Sequence, residues 1–172
     1  LEFPDYYGGN LDALWDCLPE GRKLGGAPAN FAYYMMMFGF DSLAVSAIGN
    51  DELGAEIKET FDKAGLKYML QVTDYPTGTV TVDIDERGIP SYDIKENVAY
   101  DYMSYTPQLE EVAKKCNVAC FGSMTQRNPV SRKTIRKFLE SMPQTVETYK
   151  VFDINLRQHF YDKEIISESL RL

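Results

Sequence analysis

A chain of 172 residues that is 44% hydrophobic, 13% aromatic and 26% charged has the make-up of one globular domain with a sizeable core, which excludes a collagen, a disulfide scaffold and wholesale disorder. Its 26 acidic and 18 basic residues leave a formal charge of −8, ill suited to following a phosphate backbone, so nucleic acid is not an expected partner. The three cysteines, Cys17, Cys116 and Cys120, are too few for a disulfide framework and read as reduced thiols in a cytoplasmic protein. No apolar run long enough to span a bilayer and no leader pattern points to a membrane.

In chain order, Gly8-Gly9 break the chain and Asn10 is placed to cap a helix. Leu11, Leu14, Trp15 and Leu18 then form one apolar stripe before Pro19 and Gly21. The letters ALWDCL also suit a strand. A second helix is expected over ANFAYYMMMF, with Pro28 at its first position and Gly39 just past its end. Its methionine run, Met35 to Met37, reads as core packing. SLAVSAI, residues 42–48, is a short buried strand. Asn50 or Asp51 caps the next helix, which carries Leu53, Ile57, Phe61 and Ala64 and stops at Gly65.

Residues 66–95 have no helical period. TVTVDID alternates, ERG suits a turn, and IPSYDI follows, so a small half-exposed sheet is expected there. From Thr106 a helix (PQLEEVAKKC), a strand (NVACFG), a helix from Pro129 to Glu140, a strand (TYKVFDIN) and a last helix from Tyr161 to Leu170 restore an α/β rhythm. That alternation predicts an α/β fold with a mainly parallel sheet and a small β excursion.

Ligands of such folds sit beyond the carboxyl ends of the strands. Gly25-Gly26 leads into the Pro28 helix with Asn30 in its first turn, and its NH groups can receive a hydroxyl or an anion; a plain helix start explains the same letters. Asp153, Asn155 and Arg157 would share one face if the chain stays extended, a carboxylate, an amide and a guanidinium fit to hold hydroxyls or steer a phosphate. A structural cap and a solvated arginine account for them equally. The loop 122–127 is a weaker third place. His159 is the only histidine and reads as a surface or capping residue. Cys116 and Cys120 lack the second pair that a zinc site needs, and nothing matches a nucleophile elbow. Eleven of the twelve glycines lie at or before position 88, so the later half has no loop that would cradle a triphosphate.

From Ala13 onward the chain resembles the ribokinase-like (PfkB) carbohydrate kinases, the fructokinase branch in particular. The resemblance runs through ALWDCLPEGRKLGGAPANFAY, SAIGNDELGAEI, YPTGTVTVDID, CFGSMTQRN and VFDINLRQHFY. It implies a Rossmann-like core, divided as 1–65 and 106–172, with a β lid inserted at 66–105. The implied activity is transfer of the γ-phosphoryl group of ATP to a sugar hydroxyl with Mg2+. By that resemblance Asp16, Gly25, Gly26, Asn30, Gly78, Thr79 and Asn155 match sugar-side positions, and Arg157 matches the catalytic arginine near the developing phosphoryl charge. Lid strands in such kinases often pair subunits, so a homodimer through the lid is expected.

Two departures accompany the resemblance. Members of the family are considerably longer, so the core is expected to be truncated at its C-terminal side, without the nucleotide site or the general base, and to be inactive as it stands. The opening segment 1–18 is also atypical: FPDYYGGNLDALWDCL resembles the barstar family of intracellular ribonuclease inhibitors. That similarity implies acidic contacts to a basic nuclease cleft from Asp12 and Asp16, with Tyr6 beside them. The alternative reading is therefore a ribonuclease-binding module or a chimera, and the two resemblances ask for a strand and a helix over the same ALWD.

Overall fold

The computed structural model of the chain describes residues 26–84 and 90–172. The elements in order are α1 (Ala27–Met37), β1 (Ala44–Gly49), α2 (Glu52–Ala64), β2 (Tyr68–Thr73), β3 (Val80–Ile84) and β4 (Pro90–Ile94). A 3-10 turn (Ala99–Tyr102), α3 (Pro107–Ala113), β5 (Val118–Gly122), a second 3-10 turn (Met124–Gln126), α4 (Pro129–Ser141), β6 (Tyr149–Asp153) and α5 (Lys163–Ser169) follow. The expected helix at 10–18, Tyr6, Asp12, Asp16, Gly25 and the ERG turn lie outside the described residues.

β1 and β2 pair in parallel with α2 between them, and β5 and β6 pair in parallel with α4 between them. β3 and β4 form a separate antiparallel ladder, from Val80↔Ile94 to Ile84↔Pro90. The architecture is thus an α/β fold with parallel strand pairs in the core and a small antiparallel insert, as the alternating pattern predicts. β2 joins β1 in parallel, so the antiparallel insert starts at Val80 rather than with residues 66–73.

The local chemistry explains the boundaries. Asp51 caps α2 by accepting from the Gly54 N–H at 2.8 Å, and Gly65 ends it at φ 69, a left-handed conformation that costs a side chain about 1–2 kcal/mol. Thr106, Asn128 and Asp162 cap α3, α4 and α5 in the same way. Pro28 stands at the second position of α1, because the helix begins at Ala27, and Gly39 follows its end at φ 86. Met36 packs on the core, whereas Met37 is 63% exposed, so only part of the methionine run is core.

Two apolar clusters hold the layers together. Ala32 of α1, Ala44 of β1, Phe61 of α2 and Leu66 form one, flanked by Ile57, Tyr68 and Leu70. Phe121 of β5, Ile135 and Leu139 of α4 and Met142 form the other, where Phe121 stacks on Phe152 of β6 with ring centroids 5.1 Å apart. Each side chain of that size contributes about 1.5–3 kcal/mol on burial. With both pairs fixed by their helices, the carboxyl ends of β1, β5 and β6 become rigid mounts for the loops after them.

Candidate functional site

The segment entering the insert is fastened at the end of β1. The Asp51 carboxylate accepts from Gly54 N and, across 26 residues of chain, from Thr77 N at 2.8 Å and from the Thr77 hydroxyl at 2.6 Å. Thr77 in turn accepts from Gly49 N at 2.9 Å and is 5% exposed. Burial on its own would raise the Asp51 pKa. The three donors outweigh it and hold the carboxyl below its ordinary value. Beyond Thr77, Gly78 runs beneath Tyr100: a Cβ there would stand 2.3 Å from the ring. Thr79 follows, exposed, with its carbonyl accepting from Lys95 N at 3.2 Å.

The far side of the site is built at the ends of β5 and β6. After Asp153 the chain does not stay extended. Asn155 N donates to Asp153 O and Arg157 N to Asn155 O, each at 3.0 Å, so two tight i→i+2 turns replace the strand. The expected alignment of Asp153, Asn155 and Arg157 on one face of a strand is therefore corrected. Curling nevertheless brings Asn155 and Arg157 together, with Arg157 Nε donating to Asn155 Oδ1 at 2.8 Å. The Ser123 hydroxyl, after β5, donates to Asn155 O at 2.9 Å and fixes the turn.

Three consecutive residues then reach the insert. The Arg157 guanidinium lies 5.2 Å from the ring centroid of Tyr92 on β4. Gln158, at φ 47, accepts from Ile94 N at 3.3 Å, and His159 Nε2 lies 3.1 Å from a Glu96 carboxylate oxygen. The expected surface role of His159 agrees with its 73% exposed side chain. Loop 122–127 is held from within and from α5: Gln126 donates to Gly122 O at 3.0 Å and to Ser169 at 2.9 Å.

The most consequential pair escapes the sequence. Arg127 donates from Nε to Asp101 Oδ1 at 2.8 Å and from Nη2 to Oδ2 at 2.9 Å, in a fork with side chains 7% and 2% exposed. Nη2 also donates to Lys95 O at 2.6 Å and to the Tyr100 hydroxyl at 3.0 Å. The guanidinium lies 4.4 Å from the Phe160 centroid and 5.2 Å from that of Tyr100, while Nη1 is buried with no hydrogen-bond partner among the described residues. Burial pushes the Tyr100 phenol up, against the pull of Arg127. Asp101 and Arg127 sit on irregular segments, so no periodicity signals them. Asp51 is legible as a cap, but not as the partner of Thr77.

Of the sequence-predicted residues, Gly78, Thr79, Asn155 and Arg157 lie on the two loop groups that the insert bridges. Gly26 (φ 116) precedes α1, which rests against β1 and β5. Asn30 is 2% exposed, its backbone N donating to Gly26 O at 3.1 Å. Cys116 and Cys120 are free thiols, and burial, then Asp153, pushes Cys120 up to about 11. No three His, Cys, Asp or Glu side chains among the described residues converge on a metal position. A Cβ on Gly122 would meet nothing closer than Asp153 O at 3.7 Å.

No helix among the described residues is long and apolar enough to cross a membrane. An uncharacterized sugar kinase, PH1459, of Pyrococcus horikoshii is 29% identical over 156 residues, covering 86% of this chain and 49% of its own. Its crystal structure superposes with a TM-score of 0.71 at 26% identity over 86% of this chain and 53% of that one. A fructokinase of Escherichia coli is 27% identical over 165 residues, 89% of this chain and 52% of its own. An 18-residue stretch is also 89% identical to the candidate ribonuclease inhibitor YrdF of Bacillus subtilis, covering 10% of this chain and 20% of that protein. The chain spans about half the length of these kinase relatives. Residues 20–170 match the model described as pfkB family carbohydrate kinase, and the chain belongs to that family.

Proposed function

We propose that this chain supplies the sugar side of an ATP-dependent sugar kinase with a fructose-like substrate. The observation that carries the reading is the Asn155–Arg157 pair at the end of β6, turned toward Tyr92 of the insert. An amide and a guanidinium there can hold sugar hydroxyls and meet charge that develops on a transferring phosphoryl group. Arg157 is the catalytic residue of this proposal; Asp16, Gly25, Gly26, Asn30, Gly78, Thr79 and Asn155 are its sugar-side positions. ATP with Mg2+ supplies the phosphoryl group. The β3–β4 insert serves as the lid and as a homodimer contact, and the protein works in the cytoplasm. In this reading the 172 residues bind sugar weakly and do not turn it over on their own.

Calorimetric titration tests the binding and a coupled assay with Mg-ATP tests the turnover. Saturable, weak fructose binding that falls about tenfold in Asn155→Ala, roughly 1.4 kcal/mol, with no product formed, is expected. Steady fructose phosphorylation by the purified chain contradicts the proposed inactivity.

The 18-residue match to a candidate ribonuclease inhibitor favours a second reading, a nuclease-binding segment using Tyr6, Asp12 and Asp16. Titration with the ribonuclease barnase decides it: tight binding abolished by Asp12→Ala and Asp16→Ala supports that role, and no binding removes it.

A further inference from the structure

We propose that Asp51 is a positioning residue for the sugar site: through Thr77 it sets where the segment carrying Gly78 and Thr79 enters the antiparallel insert. The proposal rests on the sugar-kinase reading only in naming what Gly78 and Thr79 would contact. As an N-cap, Asp51 needs one acceptor atom, and Gly54 N occupies it. The carboxylate nevertheless takes two further donors, the backbone N–H and the hydroxyl of Thr77, a residue from another part of the fold. The hydroxyl accepts from Gly49 N in return, so every polar atom of this small network has a partner.

Steric detail shows how closely the strap is drawn. A Cβ on Gly49 would stand 2.5 Å from Asp51 Oδ2, 2.7 Å from Thr77 N and 2.7 Å from Tyr75 O. One on Gly54 would stand 2.5 Å from Gly49 O. Both positions must be glycine for the 75–78 segment to approach the start of α2, which explains the spacing Gly49-Asn50-Asp51-x-x-Gly54 better than helix capping does. The opposite side of the same segment is also closed. Ala99 N donates to Pro76 O at 2.8 Å, Tyr75 stacks on Tyr102 with centroids 3.5 Å apart, and Gly78 is pressed under Tyr100. Residues 75–78 are thus clamped between the start of α2 and the 99–102 turn, and Thr79 is the first residue free of the clamp.

The test compares the full chain with Asp51→Ser, Thr77→Val and Thr77→Ser by amide hydrogen exchange and by fructose titration. Serine at 51 can still cap Gly54 but is too short to reach Thr77, so α2 stays capped while the strap is lost. Exchange at residues 76–84 and 92–98 should quicken at least tenfold in Asp51→Ser and Thr77→Val, with residues 118–122 and 149–153 unchanged. Fructose affinity should fall at least tenfold in both, and Thr77→Ser, which keeps the hydroxyl, should restore both readouts. Uniform acceleration across the molecule, or none in the insert, overturns the proposal, because it makes Asp51 a cap and nothing more. Insert-selective acceleration in a chain that binds no fructose even as wild type supports the strap and counts against the sugar-kinase reading instead.

Discussion

Arg127 and Asp101 form the most exacting contact in the molecule. Two charges are taken out of water, and the two-pronged hydrogen bond, the further bonds to Lys95 O, the Tyr100 hydroxyl and Val98 N, and the flanking Tyr100 and Phe160 rings compensate them. Arg127→Met should destabilise the fold by about 3–5 kcal/mol in urea unfolding, because it strands a buried carboxylate. Lys67→Ala, which breaks an exposed pair with Asp41, should cost under about 1 kcal/mol. Asp51 makes a pH-dependent contribution of known sign. Its folded pKa is lowered, so its stabilisation is complete above the ordinary carboxylate value near 4, fades below it and is lost as pH falls through the lower folded pKa. Unfolding of wild type and Asp51→Asn should therefore differ at pH 7, and the difference should shrink as pH falls below about 4. Cys120, held at about 11 by burial and Asp153, should be alkylated at pH 8 about two orders of magnitude more slowly than an ordinary thiol of pKa near 8.5. These residue-level facts were the least legible from sequence. Pairs 26 positions apart on loops leave no period, and a carboxylate's second and third donors are set by tertiary approach alone.

At the scale of elements, the signals that hold are those with local causes. The apolar stripe of α2, its Asp51 cap and the left-handed Gly65 appear where the letters put them, and the alternating TVTVDID becomes β3. The errors share a cause too. The 66–73 stretch carries no mark of its partner, so its parallel pairing with β1 could not be read. The turns after Asp153 depend on Ser123, just past the end of β5, gripping Asn155 O. The insert gives the sharpest element-level test. Gly78→Ala forces a Cβ to within 2.3 Å of the Tyr100 ring and should cost about 1–3 kcal/mol by overpacking, read as a lowered urea midpoint. The same change at Gly39, where space is open but φ is 86, should cost about 1–2 kcal/mol from backbone strain alone.

At the scale of the whole molecule, two parallel strand pairs hold apart two loop groups, and the antiparallel insert ties them together. One end is strapped to β1 by Asp51 and Thr77, the other to the β5 side by Arg127. The loop after β6 touches the insert through Arg157, Gln158 and His159. Composition and length could describe a globular domain of 172 residues. Family motifs add membership of the carbohydrate-kinase family, and the chain covers about half of each kinase relative. The central claim, that the sugar is held between the start of α1, the entry to the insert and the end of β6, is tested most directly by amide hydrogen exchange with and without saturating fructose. The account predicts slower exchange at residues 26–30, 77–80 and 154–158 and no change in α4. Fructose that leaves those three segments unprotected, or protects the molecule elsewhere, contradicts it.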